Sequence, residues 1–272
     1  MGYLTSEKKK TTVKTFVEMK HDGQKIAMLT AYDYTTARLI EEAGVDSILV
    51  GDSASNVMLG NDSTLPITLD EMMVYARGVA RGCRRALVVC DMPFGTYQVS
   101  PEEGVRNAVR LIRETGVDAV KLEGGMEVVP TIERIVNAGI PVMGHLGLTP
   151  QSIHKLGGYG VRARSEVEAT KLIADAQALE EAGCFGIVLE KIPAALAQQV
   201  TQLVGVPTIG IGAGCHCDGQ VLVYADAMGM TQGFEPKFLR EFAPLGEELR
   251  RGVTAYCEAV KSDQFPNESE SY

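Results

Sequence analysis

The 272-residue chain has no tryptophan, and tyrosine and phenylalanine together bring its aromatic content to only 6%. So few flat rings argue against a base-stacking or sugar-platform protein. Positive charge is also short: 26 Lys and Arg against 35 Asp and Glu leave a net charge of −9. This deficit argues against non-specific binding to nucleic acid or to an anionic membrane. It does not exclude a small anionic substrate held by a local cation or a metal. No apolar run approaches the ~18 residues that suit a membrane span. The start of the chain has no apolar signal core, only Lys8-Lys9-Lys10 after a polar segment. Gly2 and Ser6 fit the myristoylation pattern, a motif loose enough to be met by chance. These absences predict a soluble, cytoplasmic protein. The six cysteines (Cys83, Cys90, Cys184, Cys215, Cys217 and Cys257) are scattered, and they read as core filling rather than as a disulfide framework. Cys215-His216-Cys217 resembles a metal clip but lacks the second ligand pair of a zinc site.

What is present is an ordinary globular composition, 45% apolar and 22% charged. The length suits two average domains or one α/β barrel. Helix starts are well marked. Thr68-Leu69-Asp70-Glu71, Ser100-Pro101-Glu102-Glu103 and Ser165-Glu166-Val167-Glu168 each read as a capping box. Helix ends repeat a phrase: Glu42-Ala43-Gly44, Glu114-Thr115-Gly116, Asn137-Ala138-Gly139 and Glu181-Ala182-Gly183 each put Gly where a left-handed cap is needed. An apolar run follows each one. Strands are predicted at Lys25–Leu29, Ser47–Val50, Ala86–Cys90, Ala119–Leu122, Val142–Gly144, Gly186–Leu189 and Thr208–Ile211, with a weaker eighth near Val221–Tyr224. Short apolar strands alternating with helices imply a covered parallel sheet. Eight of them fit one (β/α)8 TIM barrel over residues 1–272, with a short N-terminal extension and a frayed polar tail from about residue 262. A doubly wound open sheet is the alternative. It is disfavoured because no Gly-x-Gly-x-x-Gly turn follows the first strand, and Gly210-Ile211-Gly212-Ala213-Gly214 comes late in the chain.

Polar residues follow the apolar runs in a consistent way. Strand two leads into Gly51-Asp52-Ser53, strand three into Asp91, and strand five into His145. Strand four reads Val120-Lys121-Leu122-Glu123, and strand six ends in Glu190. All lie at carboxyl ends of predicted parallel strands, where barrel active sites are built. Adjacent strands are ~4.8 Å apart, so Asp52, Asp91 and Glu123 are placed to converge. Three carboxylates so close repel unless a cation sits among them, and hard oxygen ligands select Mg²⁺ or a similar ion. Lys121 and Glu123, two apart, share a strand face. Lys121 suits neutralising a substrate oxygen, and its rival roles are Schiff-base nucleophile or ion-pair partner of Glu123. His145 reads as a hydrogen-bond donor or a structural residue. Glu190, emerging from an apolar strand, is a candidate general base with a pKa raised by desolvation. Asp33, after strand one, reads as a helix cap. A metal, a lysine and a separate carboxylate suggest proton removal beside a chelated 2-oxo acid, with the enolate stabilised.

At these residues the sequence resembles the ketopantoate hydroxymethyltransferase (3-methyl-2-oxobutanoate hydroxymethyltransferase) family. The motifs are Thr30-Ala31-Tyr32-Asp33-Tyr34, Val50-Gly51-Asp52-Ser53, Asp62-Ser63-Thr64-Leu65-Pro66, Val120-Lys121-Leu122-Glu123-Gly124-Gly125, Gly144-His145-Leu146-Gly147-Leu148-Thr149-Pro150-Gln151 and Gly210-Ile211-Gly212-Ala213-Gly214. The resemblance runs in order from about Thr12 to Val260. Ala54–Met58 and Cys215–Cys217 depart from the family's form. The resemblance implies a phosphoenolpyruvate/pyruvate-type barrel that binds Mg²⁺. It implies hydroxymethyl transfer from 5,10-methylenetetrahydrofolate to 3-methyl-2-oxobutanoate, giving 2-dehydropantoate for pantothenate and coenzyme A. It assigns Asp52, Asp91 and Glu123 to the metal, and Asp52, Ser53, Asp91 and Lys121 to the oxo acid. It puts His145 near the product hydroxyl and makes Glu190 the base at C3. It also implies a large homo-oligomer, a homodecamer. The competing readings are a related Mg²⁺-dependent 2-oxo-acid lyase or mutase, a class I aldolase using Lys121, and a non-catalytic barrel kept as a binding scaffold.

Overall fold

The computed structural model describes residues 10–272, so the Gly2 and Ser6 pattern lies outside the described residues. Eight strands close into a parallel barrel in chain order: β1 Ile26–Thr30, β2 Ser47–Val50, β3 Leu87–Asp91, β4 Ala119–Glu123, β5 Val142–Gly147, β6 Gly186–Glu190, β7 Thr208–Ile211 and β8 Gly219–Leu222. The ring closes where β1 pairs with β8, Ile26 opposite Gly219. The eighth strand thus begins two residues before the run expected near Val221–Tyr224, because β8 is short and its polar Gln220 alternates with buried neighbours. The helices are α1 Val13–His21, α2 Tyr34–Glu42, α3 Ala54–Val57, α4 Leu69–Gly82, α5 Pro101–Thr115, α6 Val129–Asn137, α7 Ile153–Leu156, α8 Glu166–Glu181, α9 Ala194–Leu203, α10 Tyr224–Ala227 and α11 Leu245–Lys261. Two compact units divide the chain after Leu222. The barrel forms the first. Val223–Tyr272, holding α10 and α11, forms the second, and residues 262–272 are exposed yet carry a capped 3-10 turn at Glu268–Glu270.

The caps form much as expected, with one difference. Thr68, Ser100 and Ser165 each accept from the backbone N–H three residues on. Among the described residues only Glu71 of the three glutamates returns the bond, and Glu168 instead pairs with Arg162 at 2.9 Å. The four repeated helix ends place Gly44, Gly116, Gly139 and Gly183 at φ between 80° and 101°, the left-handed region that favours glycine. All six cysteines are free thiols. Cys90, Cys184 and Cys217 are buried as core filling, but Cys215 and Cys257 are exposed, against the expectation.

The barrel interior explains where the chemistry sits. Met28, Leu49, Val89, Ala119, Met143, Val188 and Ile209 form one apolar cluster, with Phe16 of α1 packed against it and meeting Phe185 edge-on at 5.8 Å. Strand side chains alternate faces. Two residues beyond Val89, Ala119, Met143 and Val188, the same inward faces therefore carry Asp91, Lys121, His145 and Glu190. The interior is oily along most of its length and ionic at the carboxyl ends of β3 to β6.

Candidate active site

Register brings the ionic residues side by side. Asp91 lies opposite Lys121 across β3 and β4, and Glu123 lies opposite His145 across β4 and β5. Lys121 Nζ is 3.0 Å from Asp91 Oδ1 and 3.2 Å from His145 Nδ1. His145 Nδ1 is also 3.3 Å from Glu123 Oε1, and its Nε2 is 3.3 Å from Glu190 Oε2. The last contact is an ion-pair approach and not an aligned hydrogen bond, since Nε2 has no hydrogen-bond partner. Asp52 reaches the group from the turn after β2, where its N–H donates to Asp91 Oδ2 at 2.9 Å. Gly51 makes that turn close: a Cβ there would stand 2.7 Å from Ser53 Oγ. Tyr32 fixes Ser53 through a 2.7 Å hydroxyl contact. Glu190 ends β6 just before Lys191, whose φ of 45° turns the chain sharply away. Asp33 stands apart from this group and caps α2, accepting from Thr36 N–H at 2.9 Å.

Burial sharpens the charges. Asp52, Asp91, Lys121, Glu123 and His145 are each no more than 5% exposed. Burial, with Asp91 and Glu123 close by, drives the Asp52 carboxyl well above the usual range. Burial pulls the Lys121 ammonium down, but Asp91, Glu123 and Asp52 outweigh it and hold the pKa above the ordinary lysine value. Glu123 is opposed by burial but drawn below its usual range by His145 and Lys121. For His145, burial and Lys121 act downward, and Glu123 and Glu190 prevail, raising it to about 9.

The sign of the His145 shift gives a stability prediction. A folded-state pKa raised from 6.5 to about 9 contributes stability that is complete below pH 6.5 and lost as pH rises through about 9. Without added metal, His145→Gln is expected to melt below wild type at acidic pH, with the gap narrowing across that window. A gap independent of pH contradicts the imidazolium.

The residues fit a hard divalent cation. Asp52, Asp91, Glu123 and Glu190 face one ammonium and one imidazole, an excess of buried negative charge. Asp91 Oδ1 has no aligned hydrogen bond despite its nearness to Lys121. All candidate donors are carboxylate oxygens, the set that hard cations select. Asp52, Asp91 and Glu123 are not a closed cage, for no three His, Cys, Asp or Glu side chains among the described residues are gathered as a ready chelate. Gln151 stands between them, its Nε2 donating to Asp52 Oδ2 and its N–H to Glu123 Oε2, both at 2.9 Å. Gln151, Tyr97 and Tyr32 are the site residues to which the sequence reading gave no role. Gln151 ends the Gly144–Gln151 motif, and a Gln straight after the Pro that opens the turn beyond β5 is the available signal. A cavity of about 240 Å³ bordered by Glu127, Lys155, Arg162 and Lys171 flanks the loops after β4 and β5, but none of the ionic residues above lines it.

Comparison with known proteins identifies the family and the fold. The family model described as ketopantoate hydroxymethyltransferase matches residues 10–268. The chain is 60% identical over 266 residues to the 3-methyl-2-oxobutanoate hydroxymethyltransferase of Parabacteroides distasonis, covering 98% of this chain and 97% of that one. It is 57% identical to that of Flavobacterium johnsoniae, covering 100% of both. Among solved structures, it is similar in fold to phosphonopyruvate hydrolase crystallised with oxalate and Mg²⁺, at 11% identity, TM-score 0.61, and 96% and 93% coverage of the two chains. It is likewise similar to 2,3-dimethylmalate lyase of the PEP mutase/isocitrate lyase superfamily, at 22% identity, TM-score 0.57, and 96% and 92% coverage. With the match running nearly end to end, the chain belongs to the ketopantoate hydroxymethyltransferase family.

Proposed function

We propose that this barrel transfers a hydroxymethyl group from 5,10-methylenetetrahydrofolate to 3-methyl-2-oxobutanoate, giving 2-dehydropantoate, with Asp52, Asp91 and Glu123 holding Mg²⁺. The observation that carries the mechanism is the ring of ionic side chains at the carboxyl ends of β3 to β6, with Asp91 opposite Lys121, Glu123 opposite His145, and Glu190 Oε2 3.3 Å from His145 Nε2. When bound, Mg²⁺ polarises the ketone oxygen of the oxo acid and offsets the charge of the enolate. Glu190, the most exposed carboxylate of the ring at 16%, takes the proton from C3. Lys121, held protonated by its acidic neighbours, places a fixed positive charge beside the substrate oxygens. Ser53, fixed by Tyr32, offers a hydroxyl to the substrate. His145 sits between Glu123 and Glu190 and carries a proton within reach of the base. The enolate carbon then attacks the folate's one-carbon unit; overall one water is taken up and tetrahydrofolate leaves.

The same electrostatics disfavour the aldolase reading, because a Schiff base needs a neutral amine and Lys121 is pressed toward its charged form. A homodecamer in the cytoplasm is part of the proposal. The exposed stripe Leu245, Leu249, Val253, Tyr256 and Val260 on α11 is a surface that such an assembly would cover.

The test is to supply both substrates and Mg²⁺ and follow tetrahydrofolate and 2-dehydropantoate. Equal formation of both is expected, stopped by a chelator and restored by Mg²⁺, with borohydride trapping no adduct. Turnover of phosphoenolpyruvate-like or isocitrate-like acids without folate would favour the lyase or mutase reading instead.

A further inference from the structure

We propose that Gln151 is the positioning residue of the carboxylate centre, fixing Asp52 and Glu123 relative to each other before any cation arrives. This rests on the reading of Asp52, Asp91 and Glu123 as the Mg²⁺ centre. Gln151 lies in the 3-10 turn Pro150–Ser152 that follows β5, and it is 5% exposed. Its carboxamide has both hydrogens and both lone pairs engaged. Nε2 donates to Asp52 Oδ2 at 2.9 Å and to Met92 O at 3.0 Å. Oε1 accepts from Tyr97 Oη at 2.8 Å and from Gln98 Nε2 at 3.1 Å. Turning the amide over would set oxygen against a carboxylate and a carbonyl, so its orientation is determined by its partners. The backbone N–H of the same residue donates to Glu123 Oε2 at 2.9 Å. One residue thus holds two acids that arrive from different strands, 99 and 28 positions away.

Tyr97 completes the frame. Its hydroxyl accepts from Glu123 N–H at 3.0 Å and lies 3.1 Å from Glu123 O, while it also donates toward Gln151. The phenol therefore ties the backbone of one acid to the amide that holds the other. Two buried carboxylates without a cation repel and would swing apart. A saturated amide anchored at its far end resists that motion and holds Asp52 Oδ2 and Glu123 Oε2 each 2.9 Å from a nitrogen of the same residue. Outer partners of metal ligands act in this way generally.

Mg²⁺ binding to the full chain is measured by titration calorimetry with saturating 3-methyl-2-oxobutanoate, for wild type, Gln151→Met and Tyr97→Phe. Gln151→Met keeps the volume and the backbone N–H but removes every carboxamide bond. It is expected to weaken Mg²⁺ about 10- to 100-fold. In C3 exchange the loss should fall mainly on the Mg²⁺ concentration giving half-maximal rate rather than on the rate at saturation, a split that general destabilisation does not produce. Tyr97→Phe should move Mg²⁺ affinity the same way by less, and it decides the matter if Gln151→Met does not fold. Wild-type Mg²⁺ affinity in the folded variants overturns the positioning role and leaves the metal reading standing. A wild type that takes up no Mg²⁺ removes the metal reading and the proposal with it.

Discussion

Glu190→Gln is expected to lose about 10²- to 10⁴-fold in the rate of proton exchange at C3 of 3-methyl-2-oxobutanoate, the usual worth of a positioned general base. Binding of the oxo acid should change little. The amide has the shape of the carboxylate and can still face His145 Nε2, now 3.3 Å from Glu190 Oε2. Glu190 is not among the residues tied by Gln151, so the carboxylates proposed to hold Mg²⁺ keep their frame. The expected pattern is therefore a collapse of kcat with Mg²⁺ affinity and substrate affinity preserved. Exchange at the wild-type rate would remove Glu190 from the role of base.

Lys121→Met has an effect of similar size on a different axis. Among the described residues Lys121 is the one lysine in the ring of acids, its ammonium 3.0 Å from Asp91 Oδ1. Removing one partner of a buried ion pair costs about 3–5 kcal/mol, because the other charge stays behind unpaired. The metal-free variant should melt far below wild type, and added Mg²⁺ should recover part of the loss by neutralising Asp91 and Asp52. Activity should not recover with it: losing a fixed charge aimed at developing negative charge costs about 10²- to 10³-fold. Melting curves with and without Mg²⁺, read beside exchange rates, separate the two effects. A variant as stable as wild type and still exchanging within about threefold of it, a difference of under 1 kcal/mol, would contradict the assigned role.

Much of the barrel was legible because its signals are local. A glycine after each helix and a four- or five-residue apolar run are properties of neighbours in sequence, and they placed β2 and β7 to the residue. β8 was misplaced because its run is short and interrupted by Gln220. The inward ionic residues are legible by period: Val89 and Asp91, or Ala119 and Lys121, lie on one face by alternation alone. Gln151 and Tyr97 were not. Their importance lies in bonds to Asp52 and Glu123 across distant loops, and no spacing in the chain encodes those contacts. The return bond expected from Glu168 failed for a similar reason, since Arg162, outside the cap motif, takes its carboxylate.

The most direct measurement is deuterium uptake at C3 of 3-methyl-2-oxobutanoate in D₂O, by wild-type protein, with folate absent and Mg²⁺ either present or chelated. Exchange with Mg²⁺ and its loss on chelation are the predicted results, since Glu190 in the proposed role of base needs only a polarised oxo acid to remove that proton. Exchange that persists in chelator, or that never occurs with Mg²⁺ present, would contradict the account.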